Sequence, residues 1–218
     1  MFKSLNFKVI LFGFIFTFFS SFGQSFFLGL FNSSIRDALS ITHGQFGSIY
    51  ASATLLSSFI LVWIGKKIDD FNILKFASYV IALLAISCFL FSKISSVVFL
   101  FLSIFLMRLS GQGLMSHTAT TTISRFFEKT RGRALSITWL GLSLAEFILP
   151  LLIIFLLTFV DWRNIWIVIS IFVIVVLPII TFSLVKNIKL DSRETASLNE
   201  VKTKEIKQWK RSEVLKDY

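Results

Sequence analysis

The 218 residues include 55% hydrophobic side chains, Phe alone supplying 27, against 16% charged, and the mean hydropathy is +0.80. One soluble core cannot hide that much apolar surface, so a water-soluble domain is excluded and a membrane-embedded chain is expected. The net charge of +10 would suit nucleic acid, but the charges flank apolar runs instead of forming one patch, which excludes a nucleic-acid partner and marks them as orienting residues at membrane ends.

The first apolar run, residues 9–31, would make roughly 34 Å of helix, enough to cross a bilayer. It follows Lys3 and Lys8 as a signal peptide would, yet far exceeds the apolar stretch of one and reads as a retained span. Gly13, Thr17, Ser20 and Gln24 share one face, a helix-packing stripe of small residues; the amide of Gln24 also needs partners in hydrocarbon and is a candidate on a solute pathway. A polar loop follows, in which Thr42 to Gln45 has the spacing of a capping box, so the second helix starts near His43, a wetted cap residue, and spans 46–64. Residues 65–75 (GKKIDDFNILK) form a polar turn before a third span at 74–91, and SKISS leads into the fourth at 97–118. The fifth, 134–160, contains Pro150, which removes a backbone hydrogen bond and predicts a kink, and the sixth is 165–185. The fold class is thus an all-α membrane protein, with residues 1–185 a six-helix transmembrane domain. Residues 186–218 are a basic tail or linker, in which Ile206, Trp209, Val214 and Leu215, with Ser212 as cap, predict a short amphipathic helix along the membrane face. Cys88, the single cysteine, lies inside an apolar run and is silent on redox compartment.

Lys and Arg set the orientation. With the N-terminus inside, 18 of them lie on the inner side and three, Arg36, Lys93 and Arg163, on the outer, so both termini are cytoplasmic, in a membrane of the bacterial inner type. Arg108 is left over inside the fourth span, as Glu146 is inside the fifth. A charge at the bilayer centre costs about 2.5 to 3.5 kcal/mol on insertion scales, so two retained charges need a reason. At about 100° per residue, Arg108 and Gln112 share a stripe of the fourth helix with Ile104, Met115, Ala119 and Thr122, opposite Ser110, Gly113 and His117. The fifth helix aligns Trp139, Ser143, Glu146 and Pro150, with Gly141 and Ala145 at helix-packing spacing beside them.

Two readings follow for the charges. They form a structural ion pair, or they face a water-filled cavity in which the solute pathway is Gln24, Arg108, Gln112, Trp139, Ser143 and Glu146, with Glu146 and His117 as proton-coupling groups. His117 reads first as a packed or hydrogen-bonded residue near the inner end. An Arg facing a cavity favours an organic anion such as a carboxylate, held by two parallel hydrogen bonds, whereas Glu146 would favour proton-coupled efflux of amphipathic cations. No metalloprotease motif or phosphate loop is present, so no metal, cofactor or enzyme activity is expected; Ser143 with His117 is the one pair an intramembrane serine protease could use. A non-transporting scaffold or remnant is the third class.

These residues together resemble the major facilitator superfamily of secondary transporters. Residues 131–150 (RGRALSITWLGLSLAEFILP) are similar to the start of its fifth helix, Arg108-x-x-Gly111-x-Gly113 to its fourth-helix arginine motif, and Gly65-x-x-x-Asp69 to its signature loop, commonly G-x-x-x-D-R-x-G-R-R. Asp70, Asn72 and Ile73 depart from that loop pattern, while Lys75 keeps one base. The resemblance implies two inverted three-helix repeats forming an N-terminal half, echoed in Gly23-Gln24 and Gly111-Gln112 at similar depths, with residues 208–217 like the linker before a seventh helix. It further implies symport or antiport of a small solute, and a C-terminal half or a second copy as partner. It also implies a cytoplasmic gate of Gly65, Asp69, Lys75, Arg131 and Arg133, in which Asp69 accepts from a base such as Arg133 and holds an outward-open state. The chain is somewhat similar to the monocarboxylate and oxalate/formate branch.

Overall fold

Residues 2–69, 72–127 and 129–186 are described by a computed structural model, and among them every regular element is helical. Six helices are long and apolar enough to cross a membrane: α1 Phe7–Gly29, α2 His43–Lys66, α3 Ile73–Ser92, α4 Val97–Phe126, α5 Arg131–Leu157 and α6 Trp162–Val185. The amphipathic helix expected on Ile206 to Leu215 lies outside the described residues.

Helix starts are fixed where a short polar side chain can take an N–H that has no partner within the helix. At α2 both halves of the expected capping box form, Gln45 N donating to Thr42 Oγ1 at 3.2 Å and Thr42 N to Gln45 Oε1 at 2.8 Å. Asn72, Ser96 and Asp161 do the same for α3, α4 and α6. The polar loop expected after α1 is instead a helix, Asn32–Leu39. One apolar residue, Ile35, anchors it by full burial, and Ser40 ends it in the left-handed conformation at φ 52°.

Two further departures bear on function. The sequence reads residues 9–31 as one helix, but a tight 3-10 turn at Ser21–Gly23 and an extended Gln24 (φ −81°, ψ 154°) divide α1 from its last turn, Ser25–Gly29. Opposite that break, Arg108–Met115 of α4 is wound as a π-helix, a form that concentrates at functional sites. α4 also runs past the expected residue 118 to Phe126, because Thr118, Thr120 and Thr122 spend their hydroxyls on carbonyls one turn back and so remain compatible with an apolar setting. α5 stays helical through Pro150, and α6 through Pro178.

The helices pack as the inverted repeats require. Exchanging α1 with α4, α2 with α5 and α3 with α6 maps the α1–α5 contact onto α4–α2, maps α1–α6 onto α4–α3, and returns α1–α4 and α3–α6 to themselves; all of these contacts are present. α1 and α5 meet backbone to backbone: Gly141 lies against the Phe14 carbonyl, and Thr17 Oγ1 donates to the Thr138 carbonyl at 2.6 Å. Gly13 and Thr17 are buried in this seam, as are Gly141 and Ala145, while Ser20 is buried with its carbonyl toward Gly111 of α4. α3 and α6 are joined by Ser170 Oγ on the Ala85 carbonyl at 2.8 Å, and Trp166 fills a fully buried aromatic cluster with Phe27, Phe31 and Phe91. α2 and α5 are the least buried, presenting Leu55, Phe59, Trp63, Leu140, Phe147 and Phe155 outward.

Candidate site at the break in α1

The repeats cross where their first helices touch. Gly23 of α1 sits on the backbone of Met107, Gly111 and Gln112, and a Cβ on Gly111 would lie 2.6 Å from Gly23 N and 2.8 Å from its Cα. Only glycines allow that approach, and the turn at Ser21–Gly23 brings them to it. Breaking a helix in the membrane frees backbone carbonyls, and each must be satisfied locally.

Arg108 supplies the donor. It is 8% exposed, and its Nη1 donates to the Gly23 carbonyl at 3.0 Å and to Ser25 Oγ at 3.3 Å. The Tyr50 ring of α2 lies 5.4 Å from the guanidinium carbon, a cation–π distance, and the Tyr50 hydroxyl donates to Ser25 Oγ at 2.9 Å. Three helices thus meet on one cation. Of the remaining guanidinium nitrogens, Nε is buried without a hydrogen-bond partner, and the Tyr50 side chain interacts with the group as well. Beside it, half-buried Gln112 has its Oε1 without a partner as well. Sequence reasoning found Arg108 and Gln112 because they interrupt apolar runs. It missed Ser25 and Tyr50, whose role depends on three helices meeting.

Glu146 is not paired with Arg108. No ion pair joins them among the described residues; Glu146 is exposed on α5, together with Trp139 and Ser143. α5 therefore has three faces: the buried seam of Thr138, Gly141 and Ala145, the exposed apolar face of Leu140, Leu144 and Phe147, and between them the polar stripe. The Thr17–Thr138 bond fixes the register of two helices running the same way, and counting along both from it puts Gln24 and Glu146 at about the same depth. Gln24 is half-buried at the break itself.

His117 faces α2, its Nε2 2.9 Å from the Gly65 carbonyl at the end of that helix. A carbonyl can only accept, so Nε2 carries the proton. Ser143 is on the exposed side of α5, so the serine–histidine pair that a protease would need is not formed. Of the expected gate, Gly65 is buried under His117, while Lys75, Arg131 and Arg133 are exposed; the side chain of Asp69 lies outside the described residues. A hollow of about 430 Å³ between α1, α5 and α6 is lined by apolar side chains such as Phe19, Phe22, Leu152 and Phe172, which makes it no place for an ion.

Compared with known proteins, the chain matches the family model described as Major Facilitator Superfamily over residues 13–216. No curated protein and no solved structure matches it.

Proposed function

Because the chain belongs to the Major Facilitator Superfamily, a family of secondary transporters, we propose that it moves a small organic anion, a carboxylate first of all, by alternating access. The observation that carries this reading is Arg108: a membrane-buried cation, held in place by neutral groups, with no acidic partner among the described residues and its Nε without a hydrogen bond. A guanidinium edge offers two parallel N–H donors, the geometry a carboxylate accepts, and its positive charge is otherwise uncompensated in a low-dielectric setting. The motif resemblance to the monocarboxylate and oxalate/formate branch supports the same choice. Gln112 and Gln24 complete the solute pathway with Trp139, Ser143 and Glu146, while Gly65, Asp69, Lys75, Arg131 and Arg133 form the cytoplasmic gate. A C-terminal half or a second copy covers the exposed faces of α2 and α5.

The exposure of Glu146, level with Gln24 and without an ion pair among the described residues, supports one second reading, proton-coupled efflux of an amphipathic cation. Uptake of labelled carboxylates by cells producing the transporter separates the two. Uptake that is lost in Arg108→Gln at unchanged membrane abundance supports the anion. No carboxylate uptake, with efflux of a cationic dye that depends on Glu146, overturns it.

A further inference from the structure

We propose that α4 has two states at Arg108–Met115: the π-helix seen here, and an α-helix in which Arg108 Nε donates to Gln112 Oε1. Passing from one to the other turns Ser116–Phe126 by one residue. The inference does not depend on what Arg108 binds, and two observations carry it. The first is a pair of complementary groups: Arg108 Nε and Gln112 Oε1 are both buried without a hydrogen-bond partner, one a donor and the other an acceptor. They belong to residues four apart, which an α-helix stacks on one face within reach of each other. A π-helix closes its ring one residue later and spreads them around the axis. Regular winding would satisfy both groups at once, and a buried polar group left unpaired is costly.

The second observation is the wedge that keeps the turn open. Gly23 lies against the Met107 carbonyl and the Gln112 amide, two groups five residues apart, which is the spacing of a π-helical hydrogen bond. A Cβ there would be 2.5 Å from Gln112 N. Arg108 Nη1 holds the wedge in place by donating to the Gly23 carbonyl at 3.0 Å. Whatever draws Arg108 off that carbonyl frees the break in α1 and lets the turn close. A π turn holds one residue more than an α turn, so closing it rotates one side of α4 against the other by about 100°. The side before it is tied to α3 through Ser110 Oγ, 3.2 Å from Ser87 Oγ. Beyond it, Thr118, Thr120 and Thr122 spend their hydroxyls within α4, so the far side turns and carries those bonds with it. Each residue there takes the place now held by the next: Ser116 comes to face Gly65, and His117 leaves the Gly65 carbonyl, 2.9 Å away in this state. Occupancy at Arg108 is thereby felt about 14 Å further along the helix, at the first residue of the proposed gate.

Two cysteine pairs read the states in the purified transporter in nanodiscs, each joined by a short bifunctional thiosulfonate. Gly65→Cys with His117→Cys reports the π-helix, and Gly65→Cys with Ser116→Cys the α-helix. Cys88 is buried and stays silent. In the otherwise natural sequence the His117 pair is joined at least tenfold faster than the Ser116 pair. Gln112→Leu, which removes the acceptor and keeps the bulk, slows the Ser116 pair at least tenfold further. Gln112→Glu strengthens the acceptor with a charge and reverses the order of the pairs, and the reversal vanishes when Arg108→Gln is added. Thermal melting certifies the fold of each variant. A Ser116 pair that never forms, or whose rate is unmoved by Gln112→Leu, overturns the proposal. So does a folded Gln112→Glu that leaves the His117 pair ahead, or a reversal that survives Arg108→Gln.

Discussion

At the scale of single residues, one substitution can separate the structural task of Arg108 from the anion binding proposed for it. Its Nη1 satisfies the carbonyl of Gly23 and anchors Ser25, while Nε is buried without a hydrogen bond. Lysine keeps the charge and one donor for Gly23 but has no planar fork. Arg108→Lys is therefore expected to melt close to the wild type, with a stability loss within about 1 kcal/mol, the net worth of one hydrogen bond, and to bind anions at least tenfold more weakly. A variant that melts far lower would show that the fork edge also serves the fold. Glu146 gives the opposite expectation. It is exposed and paired with nothing among the described residues, so Glu146→Gln changes stability by no more than about 0.5 kcal/mol, the range for exposed sites, and its effect falls on transport alone. Were the two residues a structural ion pair, Glu146→Gln would strand a buried guanidinium and cost about 3 to 5 kcal/mol. Melting of this single mutant decides between those cases without a transport assay.

At the scale of elements, the helices approach closely wherever a glycine removes a Cβ. A methyl group on Gly141 would run into the Phe14 carbonyl and lie 2.5 Å from Thr17 Oγ1; one on Gly111 would run into Gly23. Neither neighbour is a flexible side chain end, so the helices themselves must part. Gly141→Ala and Gly111→Ala are each expected to cost about 1 to 3 kcal/mol, the usual penalty of overpacking. Gly132→Ala, with nothing within 4 Å of the new methyl, does not lower the melting temperature. A second element test concerns the end of α2, where His117→Ala removes the one side-chain bond to the Gly65 carbonyl at a typical loss of about 0.6 kcal/mol, up to about 1.7. Amide exchange at Lys66 to Ile68 should quicken in step. These elements also show what hydropathy can and cannot convey. The six spans were legible because about 20 successive apolar residues have few fates other than a membrane, and the start of α2 was legible because Thr42 and Gln45 carry their partners within four residues. The division of α1 was not, since residues 9–31 are apolar on both sides of it and hydropathy reports burial rather than dihedral angles. The site was half legible for the same reason: Arg108 contradicts its surroundings, whereas Ser25 and Tyr50 are ordinary residues of α1 and α2 until α4 brings Arg108 between them. The wheel placed Glu146 correctly among Trp139 and Ser143 but could not fix how α5 is turned, and the packing of Gly141 on Phe14 turns that stripe away from the buried seam.

At the scale of the whole molecule, the distribution of charge over its two ends predicts the orientation. Lys8, Lys66, Lys67, Lys75, Lys129, Arg131 and Arg133 are exposed at one end of the helical unit, while the opposite end offers Arg36, Lys93 and Arg163. Of these three, Arg36 is held by Asn32 through a 2.6 Å bond, and Arg163 is turned onto the Ile94 carbonyl and the Trp162 ring, which leaves Lys93 as an exposed cation beside Phe89. Retained positive charge marks the cytoplasmic side because loops rich in Lys and Arg resist translocation, and loops this short obey the rule most closely. The basic end is therefore expected to face the cytoplasm, with the helix Asn32–Leu39 outside. Cys88 is buried and serves as an unreactive background, so single cysteines can be added to the natural sequence and probed in intact cells with a membrane-impermeant maleimide. Ser33→Cys and Lys93→Cys are expected to be labelled at once, and Lys67→Cys and Lys129→Cys only after the cells are opened. Labelling of Lys129→Cys from outside, with Lys93→Cys protected, would invert the molecule, and the gate proposed on Gly65, Asp69, Lys75, Arg131 and Arg133 would then have to be assigned to the opposite face of the membrane.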